Sequence, residues 1–438
     1  MEDRHPLMQS LPRPDADVYR CPGESYAIDR AVHLGRLASF YPGCRSCVHR
    51  QETHTLSPLE LAQWSEIDGR GDQRPCFAAE SLGAKSLNEM RPTVVRQFAG
   101  ALGIALWRQH GDRPGPPVAL VGADGHWGAA ELVSAACEAL QWAGCRAIDV
   151  GAVTSAALAA SSGRLRTDAA LWVGNASGEP HAIDLKLWGP AGMPWSSPGH
   201  LDPMREIYQS KVDRPRRRGG GLERASVDDH YLATFLPLFH ALRPLRLVAD
   251  TTCEPVVRYL DKLVSQAACE ILRPEKLSGL TSAAEGAKPF RERRLVAVGR
   301  QVVAADAHFG LWIDGDAEAC HLVDQRGASV DSQRLLLLLA QSVCRQRPGA
   351  ILVLEHETRG ELDSALARLG ARAIRTDSTR QAMFEAMHAH SAVLGGGPSG
   401  RFWFSGSPAA PDALLTISLL LTILSESDRP LADVLDAV

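Results

Sequence analysis

The stretch IDGDAEACHLVD, Ile313 to Asp324, places three carboxylates at alternate positions: Asp314, Asp316 and Glu318. A glycine between the first two lets such a loop curl. Curled around an ion, three carboxylates converge on a hard cation such as Mg2+. Left open, they form a solvent-facing acidic turn. The segment GGGPSG (Gly395 to Gly400), followed by Arg401, is a Gly-rich turn with an arginine able to bind an anion. Ser177, in NASGEP, reads on its own as a polar loop residue between a strand and a helix.

A different chemistry is offered near the N-terminus. Cys44 and Cys47, in YPGCRSC, have the spacing of a zinc knuckle, and Cys21 and His33 would complete a Cys3His tetrahedral site. His49 and His54 are alternative fourth ligands. The other readings are small packed thiols or an iron–sulfur cluster. No thioredoxin-like strand–helix frame surrounds this CxxC, which argues against a redox motif. A short segment with a small core gains from a staple such as Zn2+.

These residues must be positioned by elements that the sequence also outlines. PVALVGAD, CRAIDVG and DAALWVGNA are apolar runs of buried-strand type, separated by helical patterns such as AAELVSAACEALQWAG. LRLVAD, FGLWIDGD and AILVLEH repeat the theme further along. Strands alternating with helices predict an α/β fold with mainly parallel sheets. In LSPLELAQW, Ser57 and Pro58 are the N-cap and first residue of a helix. LLTISLLLTIL, Leu414 to Leu424, is a core helix, too short to span a bilayer.

The chain has 438 residues, 45% hydrophobic and 22% charged, with a net charge of −4. That is ordinary globular composition, and it points to neither nucleic acid nor membrane as a partner. The N-terminus carries no signal-like apolar region, so a cytoplasmic location is expected. Its ten cysteines are then mostly buried thiols or metal ligands. The basic run KVDRPRRRGGG reads as a solvated linker.

The order of these landmarks resembles the α-D-phosphohexomutases, from about Phe77 onward. NASGEPHAIDLK is similar to the family's T-A-S-H-N-P and N-G-[IF]-K stretches: Ser177 falls on the phosphoserine and Lys186 on the lysine, with Gly178 and Glu179 replacing His and Asn. Asp314-Gly315-Asp316-Ala317-Glu318-Ala319 resembles the metal loop D-G-D-G-D-R, without its arginine, and His308 stands at an upstream aspartate position. Gly396-Gly397-Pro398-Ser399-Gly400-Arg401 resembles the sugar loop G-E-x-S-G-H, with Gly397 for the glutamate and Arg401 for the histidine. FAAESLGA and VGADGH match two further loops, with Gly83 and His126 in place of arginines.

The resemblance implies three consecutive α/β/α sandwich domains, at 75–210, 222–323 and 324–438, with a linker at 211–221. An arm at 1–18 and a Cys/His segment at 19–74 precede them. It implies Ser177 and Lys186 as catalytic, Mg2+ on Asp314, Asp316 and Glu318, and a phosphorylated hexose at Gly396, Ser399 and Arg401. No R-x-S-G-T stretch follows, so the family's fourth domain is expected to be absent. Phosphoryl transfer rests on positioning and electrostatic stabilisation, and one lost donor costs ~2.7–4 kcal/mol of barrier. The replacements therefore favour a catalytically degenerate phosphosugar-binding or regulatory protein. An active intramolecular phosphotransferase, or a protein that docks a partner through residues 19–74, are the other readings.

Overall fold

The structure, a computed structural model, describes residues 18–437 apart from 39–40, 70–74, 86–88, 127, 180–181, 211–216, 218, 266, 275–288 and 407. The arm before residue 18 and most of the basic run at 211–218 lie outside the described residues. The chain divides into two compact units, one of residues 1–73 and 85–89, the other of residues 74–84 and 90–438.

In the smaller unit, the helix Pro58–Gly69 starts as the sequence requires. Ser57 Oγ accepts from the Glu60 N–H at 3.3 Å and Glu60 returns the bond to the Ser57 N–H at 2.8 Å, a reciprocal capping box. A second helix, Arg30–Ala38, and a 3-10 turn, Pro42–Ser46, complete the regular structure described. The cores are small: Leu37, Cys44 and Trp64 form one, Tyr19, Cys21 and Ile28 another.

The larger unit is built on three mixed sheets. The first takes β1 (Cys76–Phe77), β2 (Leu82–Lys85), β3 (Val118–Ala123), β4 (Arg146–Ala152), β5 (Ala169–Gly174), β6 (Ala182–Trp188) and β7 (Gly221–Arg224), in the order β1-β2-β6-β5-β3-β4-β7. The β3–β4, β3–β5 and β4–β7 pairs are parallel and β5–β6 is antiparallel. The second takes β8 (Arg246–Thr251), β9 (Glu270–Leu272), β10 (Phe309–Ile313) and β11 (Cys320–Asp324), in the order β11-β10-β8-β9. The third takes β12 (Ile351–Glu355), β13 (Arg372–Thr376), β14 (Leu394–Gly396), β15 (Trp403–Phe404) and β16 (Ala410–Pro411), in the order β13-β12-β14-β15-β16.

The apolar runs are buried as continuous strands: every residue of β5 and β10 is inside. Helices cover them. Leu414 to Leu424 lies within the helix Ala413–Ser425, capped by the Asp412 carboxylate on the Leu415 N–H at 3.0 Å and packed in the largest core. The arrangement that matters for function is local. The acidic stretch is the tip of the antiparallel β10–β11 hairpin, NASGE joins β5 to β6, and GGPSGR joins β14 to β15.

Candidate active site

The hairpin tip is the hinge pin of the site. Its Gly315 N–H donates to the Ala176 carbonyl at 3.1 Å, and a Cβ on Gly315 would lie 1.6 Å from the Asn175 carbonyl oxygen. Only glycine permits that approach. On the other side, Ala319 bridges to Arg401 and the Cys320 N–H donates to the Gly400 carbonyl at 3.0 Å. The acidic, serine and Gly-rich loops are thus tied to one another by backbone. They wall a cleft of about 690 Å3 lined among others by Glu80, Ser177, Lys186, Asp314, Ser399 and Arg401.

The serine loop is held at its start by Asp124, whose carboxylate accepts the Asn175 N–H at 2.8 Å and the His126 N–H at 2.9 Å. Ser177 Oγ donates to Asn175 Oδ1 at 3.3 Å and accepts from the Glu179 N–H at 3.2 Å. Gly178 stands at φ +72°, and a Cβ there would come within 3.0 Å of the Trp312 indole. The indole occupies the space that a larger residue at 178 would need.

The charges below the cleft form one network. Asp316 and Glu318 are 0% and 1% exposed. Lys186 Nζ donates to both, closely to Asp316 and at 3.4 Å to Glu318. Glu318 also takes Arg380 at 3.2 Å and Arg401 Nε at 3.3 Å. Arg401 reaches in the other direction to Glu80, with paired contacts of 3.0 and 2.8 Å. Burial works against the charge on Lys186, yet Asp316 and Glu318 raise its pKa. Burial likewise opposes Glu80, but Arg401, Arg380 and Lys186 bring its carboxyl down to about 2. Asp314 differs. Its carboxylate accepts the Ala319 N–H at 3.0 Å, and burial, then the neighbouring Asp316, push its pKa well above the usual carboxylate range.

This geometry does not fit the Mg2+ that the resemblance implies. Mg2+ asks for a near-octahedral set of oxygens. Asp316 and Glu318 already answer to Lys186, Arg380 and Arg401, and only Asp314 lacks a cationic partner among the contacts described. Among the described residues, no group of three or more His, Cys, Asp and Glu side chains stands ready to hold a metal ion.

The Gly-rich loop is similarly turned inward. The Ser399 N–H and Oγ both donate to Glu355, the former at 3.0 Å. A Cβ on Gly397 would lie 2.6 Å from the Glu355 carboxylate. A carboxylate from β12 thus fills the neighbourhood of the residue where the family carries glutamate. Gly396 is buried at the end of β14. His321, 8% exposed, lies under Gly400 and faces Trp312, and burial, then Arg291, lower its pKa to about 4.

Sequence reasoning brought Ser177, Lys186, Asp314, Ser399 and Arg401 to one cleft. It missed Glu80, Arg380, Glu355 and Trp312. Arg380 opens the helix Arg380–Ala389, fully buried, with its guanidinium 4.6 Å over the Trp188 ring. Its only local signal is a basic residue at a helix start, where dipole arguments disfavour it.

The expected Cys3His site is not assembled. His33 stacks on Tyr19 at 4.0 Å between ring centroids, and its Nε2 meets the Glu52 carbonyl at 3.2 Å. The alternative ligands are also engaged: His49 with Glu52 at 2.6 Å, His54 with the Tyr19 hydroxyl at 3.2 Å. The Cys21 thiol takes a guanidinium N–H of Arg36 at 2.8 Å. Burial, then Cys21 and Cys47, push the Cys44 thiol up to about 12.

The comparisons with known proteins agree with the loops. The alpha/beta/alpha domain III model of phosphoglucomutase/phosphomannomutase matches residues 331–438. A probable phosphoglucosamine mutase of Methanosarcina acetivorans is 25% identical over 319 residues, 70% of each chain. A phosphoglucomutase/phosphomannomutase of Thermococcus kodakarensis is 23% identical over 80% of this chain and 76% of its own. Together these matches support the α-D-phosphohexomutase superfamily as the family this chain resembles. Its fold is that of a phosphoglucomutase/phosphomannomutase family protein from Burkholderia thailandensis, with a TM-score of 0.70 and 23% identity over 81% of this chain and 78% of that one. A putative phosphomannomutase from Thermus thermophilus gives 0.69 at 17% identity, over 84% and 83%. Among the described residues, no helix of this phosphohexomutase relative is long and apolar enough to cross a membrane.

Proposed function

We propose that this chain binds a phosphorylated hexose in the cleft without transferring its phosphate, as a binding or regulatory protein of carbohydrate metabolism. The observation that carries this reading is the closed charge network. Lys186, Arg380 and Arg401 are committed to Glu80, Asp316 and Glu318. Cations satisfied by buried carboxylates do not neutralise the charge that develops during phosphoryl transfer, and that neutralisation is most of the catalysis. Ser177 has no basic side chain among its described hydrogen-bond partners. The ligand class follows from the relatives, whose names specify phosphoglucosamine, phosphoglucose and phosphomannose chemistry.

A second reading, an active mutase working through phospho-Ser177, is favoured by Ser177, Lys186 and Asp314 sharing one cleft. Intact-protein mass after incubation with glucose 1,6-bisphosphate and Mg2+ separates the two. The expected result is an unchanged mass, together with saturable binding of glucose 6-phosphate or glucosamine 6-phosphate by calorimetry. A phosphoryl group gained on Ser177 and absent from Ser177→Ala would establish the mutase reading instead.

A further inference from the structure

Glu80 is the odd member of the network. It is a carboxylate from the short loop between β1 and β2, it lines the cleft, and its side chain is 16% exposed. The groups around it form the kind of seat that proteins build for oxyanions. Arg401 grips both oxygens, at 3.0 and 2.8 Å. The first N–H of the helix Arg380–Ala389 donates to Oε1 at 2.7 Å. That N–H sits at the positive end of the helix dipole. Arg380 Nε is buried, has no hydrogen-bond partner among the described residues, and lies 3.6 Å from Oε2. A fully buried guanidinium N–H left unsatisfied at this distance marks a seat that a carboxylate fills incompletely.

We propose that Arg380, Arg401 and this helix N-terminus form a binding seat for a phosphate group, and that the Glu80 side chain occupies it in the ligand-free protein. A carboxylate is planar and offers two oxygens. A phosphate is tetrahedral, offers a third, and can reach Arg380 Nε as well as the donors that Glu80 uses. Charge points the same way. Lys186, Arg380 and Arg401 balance Glu80, Asp316 and Glu318. Swinging Glu80 into the open cleft leaves one positive charge uncovered, and an incoming anion restores neutrality. The ligand's phosphate must therefore compete with an internal anion, so its affinity is set partly by how readily the β1–β2 loop releases Glu80.

The inference takes its ligand class from the binding reading above, and the test is arranged to separate the two. Inorganic phosphate is titrated into the full chain and into Glu80→Ala by calorimetry, with chloride held constant. The expected result is at least tenfold tighter phosphate binding in Glu80→Ala, with the gain abolished in Glu80→Ala/Arg401→Ala. Equal affinity in the full chain and Glu80→Ala, or a gain that survives the loss of Arg401, would overturn the seat. If Glu80→Ala does not fold, Glu80→Gln keeps the side chain's size and removes its charge, and the same tenfold criterion applies. Glucose 6-phosphate binding to the full chain with no gain in either Glu80 variant would leave the binding reading standing and remove this one. A phosphate gain in a protein that binds no hexose phosphate would do the reverse.

Discussion

The cleft and the Cys/His unit each carry a metal-like spacing of ligand residues, and neither builds the site that the spacing suggests, for different reasons. In the cleft the acidic loop has the expected shape, hairpin tip and neighbours, but its carboxylates are satisfied by side-chain cations. In the Cys/His unit the thiols and imidazoles divide between two sets of partners, Arg36 for Cys21 and Glu52 with Tyr19 for the histidines. The first is a scaffold whose charge was replaced. The second is a spacing whose ligands do not converge. The distinction matters because a replaced charge leaves strong coupling between distant residues, whereas a small packed unit rests on local contacts.

The largest test of that difference is Arg380→Ala. Removing this guanidinium leaves Glu318 and Glu80 short of a partner inside the protein, with Arg380 at 0% and Glu318 at 1% side-chain exposure. Breaking a buried pair from one side costs ~3–5 kcal/mol. Urea denaturation should show a loss of that order. A loss under about 1 kcal/mol, the value of an exposed pair, would mean that the network is solvated and the cleft less closed than described.

Lys186→Met sharpens the same contrast. With the ammonium gone, Asp316 loses its cation and stands beside Asp314, while Glu318 keeps Arg380 and Arg401, so the hairpin tip gains a pair of carboxylates that a divalent ion can enter. Mn2+ should then raise the melting temperature of the variant and leave the unsubstituted chain unmoved. At a hundred times its Kd an ion contributes ~2.7 kcal/mol. Equal stabilisation of both proteins would show that the unsubstituted loop accepts a metal despite Lys186.

What the sequence revealed divides along the same line. The strands and the Ser57–Pro58 helix start were legible because they depend on periodicity, turn residues and caps a few positions apart, and the three loop positions were legible only through the family resemblance. The partners that decide the chemistry were not. Arg380 meets Glu80 across 300 positions and Glu318 across 62, and Lys186 meets Asp316 across 130. Nothing local in FAAES or DSTRQ announces a buried ion pair. Spacing alone also could not show that His33 would stack on Tyr19 rather than face the thiols. The replacements at 178 and 397 were visible as departures, but the side chains that crowd those positions, the Trp312 indole and the Glu355 carboxylate, come from β10 and β12 and emerge only when the chain folds.

The smallest effect lies in the Cys/His unit. Its described contacts include two small apolar clusters, the Tyr19–His33 stack, the pairs around Glu24 and Glu52, and the capping box at Ser57. If these hold the unit, Ser57→Ala should weaken it by about 1 kcal/mol through loss of the cap on the Pro58–Gly69 helix. That helix supplies Trp64 to the core with Leu37 and Cys44, so fraying its first turn should loosen both. Hydrogen exchange resolved by segment reads this directly: faster exchange across residues 58–69, and unchanged exchange in β10, whose amides belong to the other unit. Treatment with a zinc chelator should leave the same segments unmoved. Should the chelator instead raise exchange across 19–69 while Ser57→Ala does little, a bound metal rather than local capping and packing would be holding the unit, and the two regions would differ less than the geometry of His33 implies.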